Sequence, residues 1–229
     1  MADGRFIVLE GIDGSGLTTQ AHLLRDWFQR ERRECHLTKE PSEGPIGAQI
    51  RLILSKRLAL GGSEVDFEHA LALLFAADRM DHLFNVINRS LASGVSVVCD
   101  RYLLSSFAYQ GISVDLDVLR IMNRPCRVPD LTIFLDVPVE ISQKRIARER
   151  WHVDLYEEAE KLSLVRAKYL ELIQQLRSEG HPIEVVNGND TPNTVHKSVT
   201  QLARRLFTKN GFEAPTNQLS FEAVAASQR

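Results

Sequence analysis

Near its start the chain runs from "RFIVLE" (residues 5–10) directly into "GIDGSGLTTQ" (11–20). Four apolar residues bounded by a glycine-rich stretch read as a buried strand, and Gly11, Gly14 and Gly16 allow the backbone to turn tightly after it. "TTQAHLLRDWFQRER" (18–32) then sets Ala21, Leu24 and Phe28 on one face of a helix. A buried strand feeding a helix through a glycine turn restricts the fold to sheets whose crossovers are helical.

The alternation continues along the chain. "CHLTKEP" (35–41), "VSVVCD" (95–100), "LTIFLDV" (131–137) and "IEVVN" (183–187) read as strands, with helices expected at 46–56, 66–94, 139–149, 154–178 and 192–207. The 66–94 segment reads as one long helix stopped by a glycine. Five strands separated by helices describe an α/β fold: a doubly wound five-stranded parallel sheet with helices on both faces. Ligands in such sheets bind beyond the carboxyl ends of the strands. Residues 1–209 are expected to form one domain with a lid segment near 145–157, and 210–229, with weak periodicity, a loosely attached tail.

Composition narrows the function. A net charge of −2 excludes a general nucleic-acid binder, which needs clustered positive charge. No run approaches 18 apolar residues, and no cationic leader precedes the first strand, so neither membrane insertion nor a signal peptide is expected. Cys35, Cys99 and Cys126 are odd in number and far apart, as for buried thiols in a reducing cytoplasm. The seven histidines form no metal motif.

"GIDGSGLTT" differs by one residue from the phosphate-binding pattern G-x-x-x-x-G-K-[ST]: Leu17 stands where the pattern has lysine. The glycines and the helix dipole still suit phosphate binding through Gly11, Ile12, Asp13, Gly14, Ser15, Gly16, Leu17, Thr18 and Thr19. Thr18 offers a hydroxyl to Mg²⁺, and Asp100, at a strand end, a carboxylate, directly or through water. Arg101 beside it can grip a phosphate with two donors. Phe75 and Arg79 lie four apart on the long helix, a plane and a guanidinium suited to a base; taken alone, core packing and a solvated arginine explain them too. Ser106, Tyr109 and Gln110 share a face of the following helical turns.

Taken in order, "FIVLEGIDGSG", "TKEP", "IRLIL", "LLFAADR", "CDRYLLSSFAYQG" and "PDLTIFLDVP" resemble bacterial thymidylate kinase, a P-loop nucleoside monophosphate kinase, from about residue 5 to 207. The resemblance implies ATP and dTMP as substrates, Mg²⁺ as cofactor and a cytoplasmic homodimer. It puts Asp13 near the sugar 3′-hydroxyl or a water there, and Glu40 and Pro41 in the acceptor site, with Glu40 near the metal. Arg51 and Arg101 would hold the acceptor phosphate and Arg79 the base. Phe75 would stack on thymine, Tyr109 would crowd the 2′ position, and Gln110 would complete the base pocket. Arg145, Arg148 and Arg150 fall where lid arginines close over the phosphates, and Asn187 and Gly188 where adenine is held. The catalytic set so implied is Asp13, Asp100, Arg148 and Arg150.

The chain departs from the family pattern at Leu17, at Lys39 where arginine is usual, and at Leu155 in the lid. Phosphoryl transfer needs positioned positive charge more than covalent work, so lid arginines can replace the missing lysine. Two other readings stay open at this point. One is a nucleotide-binding protein impaired in catalysis by Leu17; the other is a kinase for a different monophosphate.

Overall fold

The computed structural model describes residues 4–149 and 155–208, with side chains for all of these except 148, 149 and 155–158. Much of the expected lid and the expected tail lie outside the described residues. Five parallel strands form one sheet in the order β2-β3-β1-β4-β5: β1 Phe6–Glu10, β2 Cys35–Lys39, β3 Ser96–Asp100, β4 Leu131–Asp136 and β5 Ile183–Asn187. β1 is central, with Phe6 beside Val97 on one side and Ile7 beside Leu131 on the other. Every residue of β1 is buried, as in a strand covered on both faces, and its first four residues are an unbroken apolar run that Glu10 closes.

Successive side chains of a strand point to opposite faces, and β1 accordingly feeds two cores. Phe6 and Val8 pack with Phe107, Phe134 and Tyr169 on one face. Ile7 and Leu9 pack with Ala21, Leu24, Phe28 and Val199 on the other. The second face is covered by α1 (Leu17–Arg30) and α9 (Pro192–Arg205), the first by α5 (Leu103–Gln110) and α8 (Leu155–Ser178) among others.

Leu17 is the first residue of the α1 apolar stripe, 5% exposed and part of the second core. Three further helices complete the site: α2 (Pro45–Leu54), α3 (Glu64–His82) and α7 (Val139–Glu149). The expected long helix starts earlier, at a capping box in which Ser63 and Asp66 bond reciprocally. It is interrupted by a π turn, Leu83–Ile87, before α4 (Asn88–Ala92). Sequence reading did not register α6 (Leu116–Met122), which is announced by Asp115 accepting the N–H groups of Asp117 and Val118. Cys99 and Cys126 are buried and free, whereas Cys35 is only half-buried.

Candidate active site

β1 ends in Glu10, and the chain turns through Gly14 (φ 74°) and Gly16 (φ 93°), left-handed conformations that favour glycine. The loop lies hard against α7. A Cβ on Gly14 would stand 2.6 Å from the carbonyl oxygen of Ser142, and the Ser142 hydroxyl donates to the Asp13 carbonyl. Arg145 donates to the carbonyls of Gly14 (3.4 Å), Ser15 (3.3 Å) and Gly188 (3.1 Å). α7 thus takes up loop carbonyls. At the other pole no side chain caps α1, so its first-turn N–H groups and dipole are available to an anion.

A pocket of about 470 Å³ opens on this loop at the carboxyl ends of the strands. Of the expected site residues, Ile12, Asp13, Gly14, Ser15, Gly16, Leu17, Thr18, Thr19, Glu40, Asp100, Arg101, Arg145 and Gly188 line it. Gly11 sits beneath, where a Cβ would meet Ser15 Oγ at 2.6 Å. Within the pocket Thr18 Oγ1 donates to Asp100 Oδ2 at 2.8 Å. A hydroxyl beside a carboxylate is a hard oxygen pair that fits Mg²⁺ shared with phosphates. No group of three or more acidic, histidine or cysteine ligands forms among the described residues. Gly188 packs so closely that a Cβ would lie 2.6 Å from Val137 Cγ2. Asn187, also expected there, instead accepts from the N–H of Asn189 and donates to Asp190.

Arg101 stands at the edge of the pocket in a left-handed conformation (φ 70°), unusual for a side chain with a Cβ. Its guanidinium donates to Asp13 (2.9 Å), Ser105 (3.4 Å) and the Tyr169 hydroxyl (3.5 Å), and lies 5.2 Å from the centre of the Tyr109 ring. Burial opposes its charge, but Tyr109, Tyr169, Asp13 and Asp100 outweigh burial and hold it charged far above the usual range. The following helix, α5, carries two polar atoms that are buried without a hydrogen-bond partner among the described residues, Ser106 Oγ and Gln110 Oε1, and the Tyr109 hydroxyl, which lies against Arg101 and the Asp13 backbone. Buried polar atoms are nearly always paired. The two on α5 are groups that a polar ligand reaching this helix would pair.

The remaining acceptor candidates occupy a scaffold. Arg51 donates to the carbonyls of Pro41 (3.1 Å) and Ser42 (2.5 Å), and Asp78 accepts from the N–H and hydroxyl of Ser42 at 2.7 and 2.6 Å. Phe75 is half-buried against Ile50, Ile53 and Leu71. Arg79 differs from the expectation of an arginine open to a base, being only 1% exposed. Its three nitrogens face Glu40 Oε2 (2.9 Å), Asn123 Oδ1 and the Tyr102 carbonyl (3.5 Å). The cause is Glu40, a buried carboxylate that requires a buried cation. Its other oxygen meets His82 Nδ1 at 3.3 Å, so both oxygens expected near a metal are already engaged. Arg150 lies outside the described residues, and so does the side chain of Arg148, whose backbone belongs to α7.

The family model for thymidylate kinase matches residues 9–199. The chain belongs to the thymidylate kinase family. It is 40% identical to a probable thymidylate kinase of Pyrococcus horikoshii over 202 residues, 88% of this chain and 96% of that protein. It is 40% identical over 205 residues to the probable thymidylate kinase of Thermococcus kodakarensis (88% and 98%) and 43% over 176 to that of Methanocaldococcus jannaschii (76% and 85%). These relatives are archaeal, so the bacterial likeness is kept only at the level of the family.

Against this thymidylate kinase background, sequence reading passed over one group that organises the site. Glu10 is completely buried and accepts from the N–H groups of Tyr102 (3.0 Å) and Ser105 (3.2 Å), the Ser105 hydroxyl and the Tyr169 hydroxyl (3.3 Å). Burial raises its carboxyl pKa, against the opposing pull of Ser105 and Arg101. An acid closing an apolar strand was visible in the sequence; its partners, 92 to 159 residues away, were not. Lys39 and Gln20 were missed as pocket-lining groups for the same reason.

Proposed function

We propose that the chain transfers the terminal phosphoryl group of ATP to dTMP. The observation that carries this reading is the pair of unpartnered atoms on α5, Ser106 Oγ and Gln110 Oε1, on the helix that follows Arg101, together with the uncapped start of α1. The loop and the first turn of α1 hold the donor phosphates through backbone N–H groups. Gly188 and Arg145 close the far end of the donor pocket around adenine. Arg101 holds the acceptor phosphate, with Asp13 orienting it, and Arg51 supports the strand end at Pro41. Phe75 and α5 surround the base and sugar.

The attacking atom is a phosphate oxygen already largely ionised at neutral pH, so the residues have to align and neutralise rather than remove a proton. Thr18 and Asp100 would hold Mg²⁺, which neutralises charge developing on the transferred group. Arg79 and Glu40 act as positioning residues that fix the end of β2 against α3. Arg148 and Arg150 close over the phosphates and act chiefly in the transition state, so alanine at either position lowers kcat and leaves ATP affinity nearly intact. The protein works in the cytoplasm as a homodimer; exposed Leu73 on α3 and Phe84 in the π turn support the pairing.

A coupled assay with ATP, Mg²⁺ and a panel of monophosphates tests the reading. dTMP is expected to be used well ahead of UMP, CMP and dGMP, because a wrong base leaves polar atoms unpaired. Comparable kcat/KM for UMP and dTMP would sink the acceptor assignment. A nucleotide binder without turnover is the reading that Leu17 favours, and the same assay decides it: binding of both nucleotides with no product, and turnover restored by Leu17→Lys.

A further inference from the structure

Leu17 leaves the phosphate loop without its usual point charge, and its side chain is built into the core under α1. Among the described residues three cations line the pocket: Lys39, Arg101 and Arg145. Arg101 is engaged by Asp13, Ser105 and Tyr169, and Arg145 by three backbone carbonyls. Among the described residues Lys39 meets only Glu43, at 3.1 Å, with the two side chains 54% and 79% exposed. Ion pairs so exposed hold a lysine only weakly, and a polyanion easily outcompetes them.

Its place in the sheet is set by register. Lys39 is the last residue of β2 and lies opposite Asp100 of β3, and the next N–H, that of Glu40, donates to the Asp100 carbonyl at 3.0 Å. The carboxylate of Asp100 in turn receives the Thr18 hydroxyl. Lys39 is thus anchored one strand from the groups at the donor phosphates, at the carboxyl edge where an α/β sheet presents its ligand.

We infer that Lys39 is a donor-phosphate residue that supplies, from the end of β2, the positive charge absent at Leu17. The inference rests on the kinase reading of the same pocket and deepens it. On binding ATP the ammonium leaves Glu43 and contacts the polyphosphate, both before and during transfer.

Calorimetric titration of MgATP without acceptor reads this charge whether or not turnover follows. Lys39→Ala is expected to weaken MgATP about tenfold, the size of one charge-assisted contact, while Lys39→Arg stays near the wild type. The exposed position makes both variants compatible with folding, and dTMP affinity is expected to be unchanged. Turnover of dTMP falls in Lys39→Ala and is rescued in Lys39→Arg. Unchanged MgATP affinity in Lys39→Ala overturns the inference. So does a loss confined to dTMP, which would place the lysine at the acceptor. A wild type that binds MgATP but phosphorylates no monophosphate refutes the kinase reading instead, and the MgATP comparison still decides Lys39.

Discussion

Arg101 holds Asp13 at 2.9 Å across the edge of the phosphate loop. The pair joins a cation of the β3–α5 turn to a carboxylate of the loop, and the arginine is one-fifth exposed. In the proposed reading an incoming phosphate would reach the guanidinium from that open side, with Asp13 keeping the fork in plane.

Under that reading, replacing Arg101 by alanine removes the acceptor's main phosphate contact. The expected cost is about 2–5 kcal/mol of dTMP binding, the range for a buried charged hydrogen-bonded contact. ATP binding should change much less. Calorimetry with each nucleotide separately checks this, and equal dTMP affinity in Arg101→Ala would show the residue misplaced.

Gln110 offers the opposite balance. Among the described residues its Oε1 accepts nothing, so Gln110→Ala removes no hydrogen bond at that atom while, in the proposed reading, deleting a contact for the base. We expect dTMP affinity to drop by about 1–3 kcal/mol with little change in the urea midpoint, since leaving a buried group unpaired is itself unfavourable. A large loss of stability with normal affinity would assign Gln110 to the fold.

Glu10 predicts a pH dependence. Its folded pKa lies above the ordinary value of 4.5, so above that value the folded chain holds a proton that the unfolded chain has released. Stability therefore falls as pH rises through the window that starts at the ordinary pKa and ends at the raised one. Urea midpoints measured across this range should decline in the wild type and lose that slope in Glu10→Gln. An identical slope in both proteins would remove Glu10 as its source.

Glu40→Ala strands Arg79 as an uncompensated buried cation. Breaking a buried ion pair from one side costs about 3–5 kcal/mol, and denaturant unfolding should show a loss of that size. Arg79→Met with Glu40→Gln, which removes both charges, should recover much of it. Recovery failing in the double variant would mean that the geometry of the pair matters more than its charge.

The sequence disclosed local features well. β1, the glycine turn and α1 were legible because burial on both faces, backbone freedom and helical spacing are each written in consecutive residues. The whole lining of the loop, from Ile12 to Thr19, followed from that. The fate of Arg79 was not legible: its partners Glu40, Asn123 and Tyr102 lie 23 to 44 residues away, and only the folded chain shows that they enclose it. Lys39 escaped for a related reason, since strand register alone sets it opposite Asp100. The π turn had no signal either, because a single helical-period pattern reads through it.

The single carboxyl of Glu10, at the end of β1, is reached by the start of α5 and, through Tyr169, by α8. The loop proposed to receive the donor and the helix proposed to receive the acceptor thus hang from one shared peg. Their spacing is therefore set by one carboxyl rather than by the outer strands and helices.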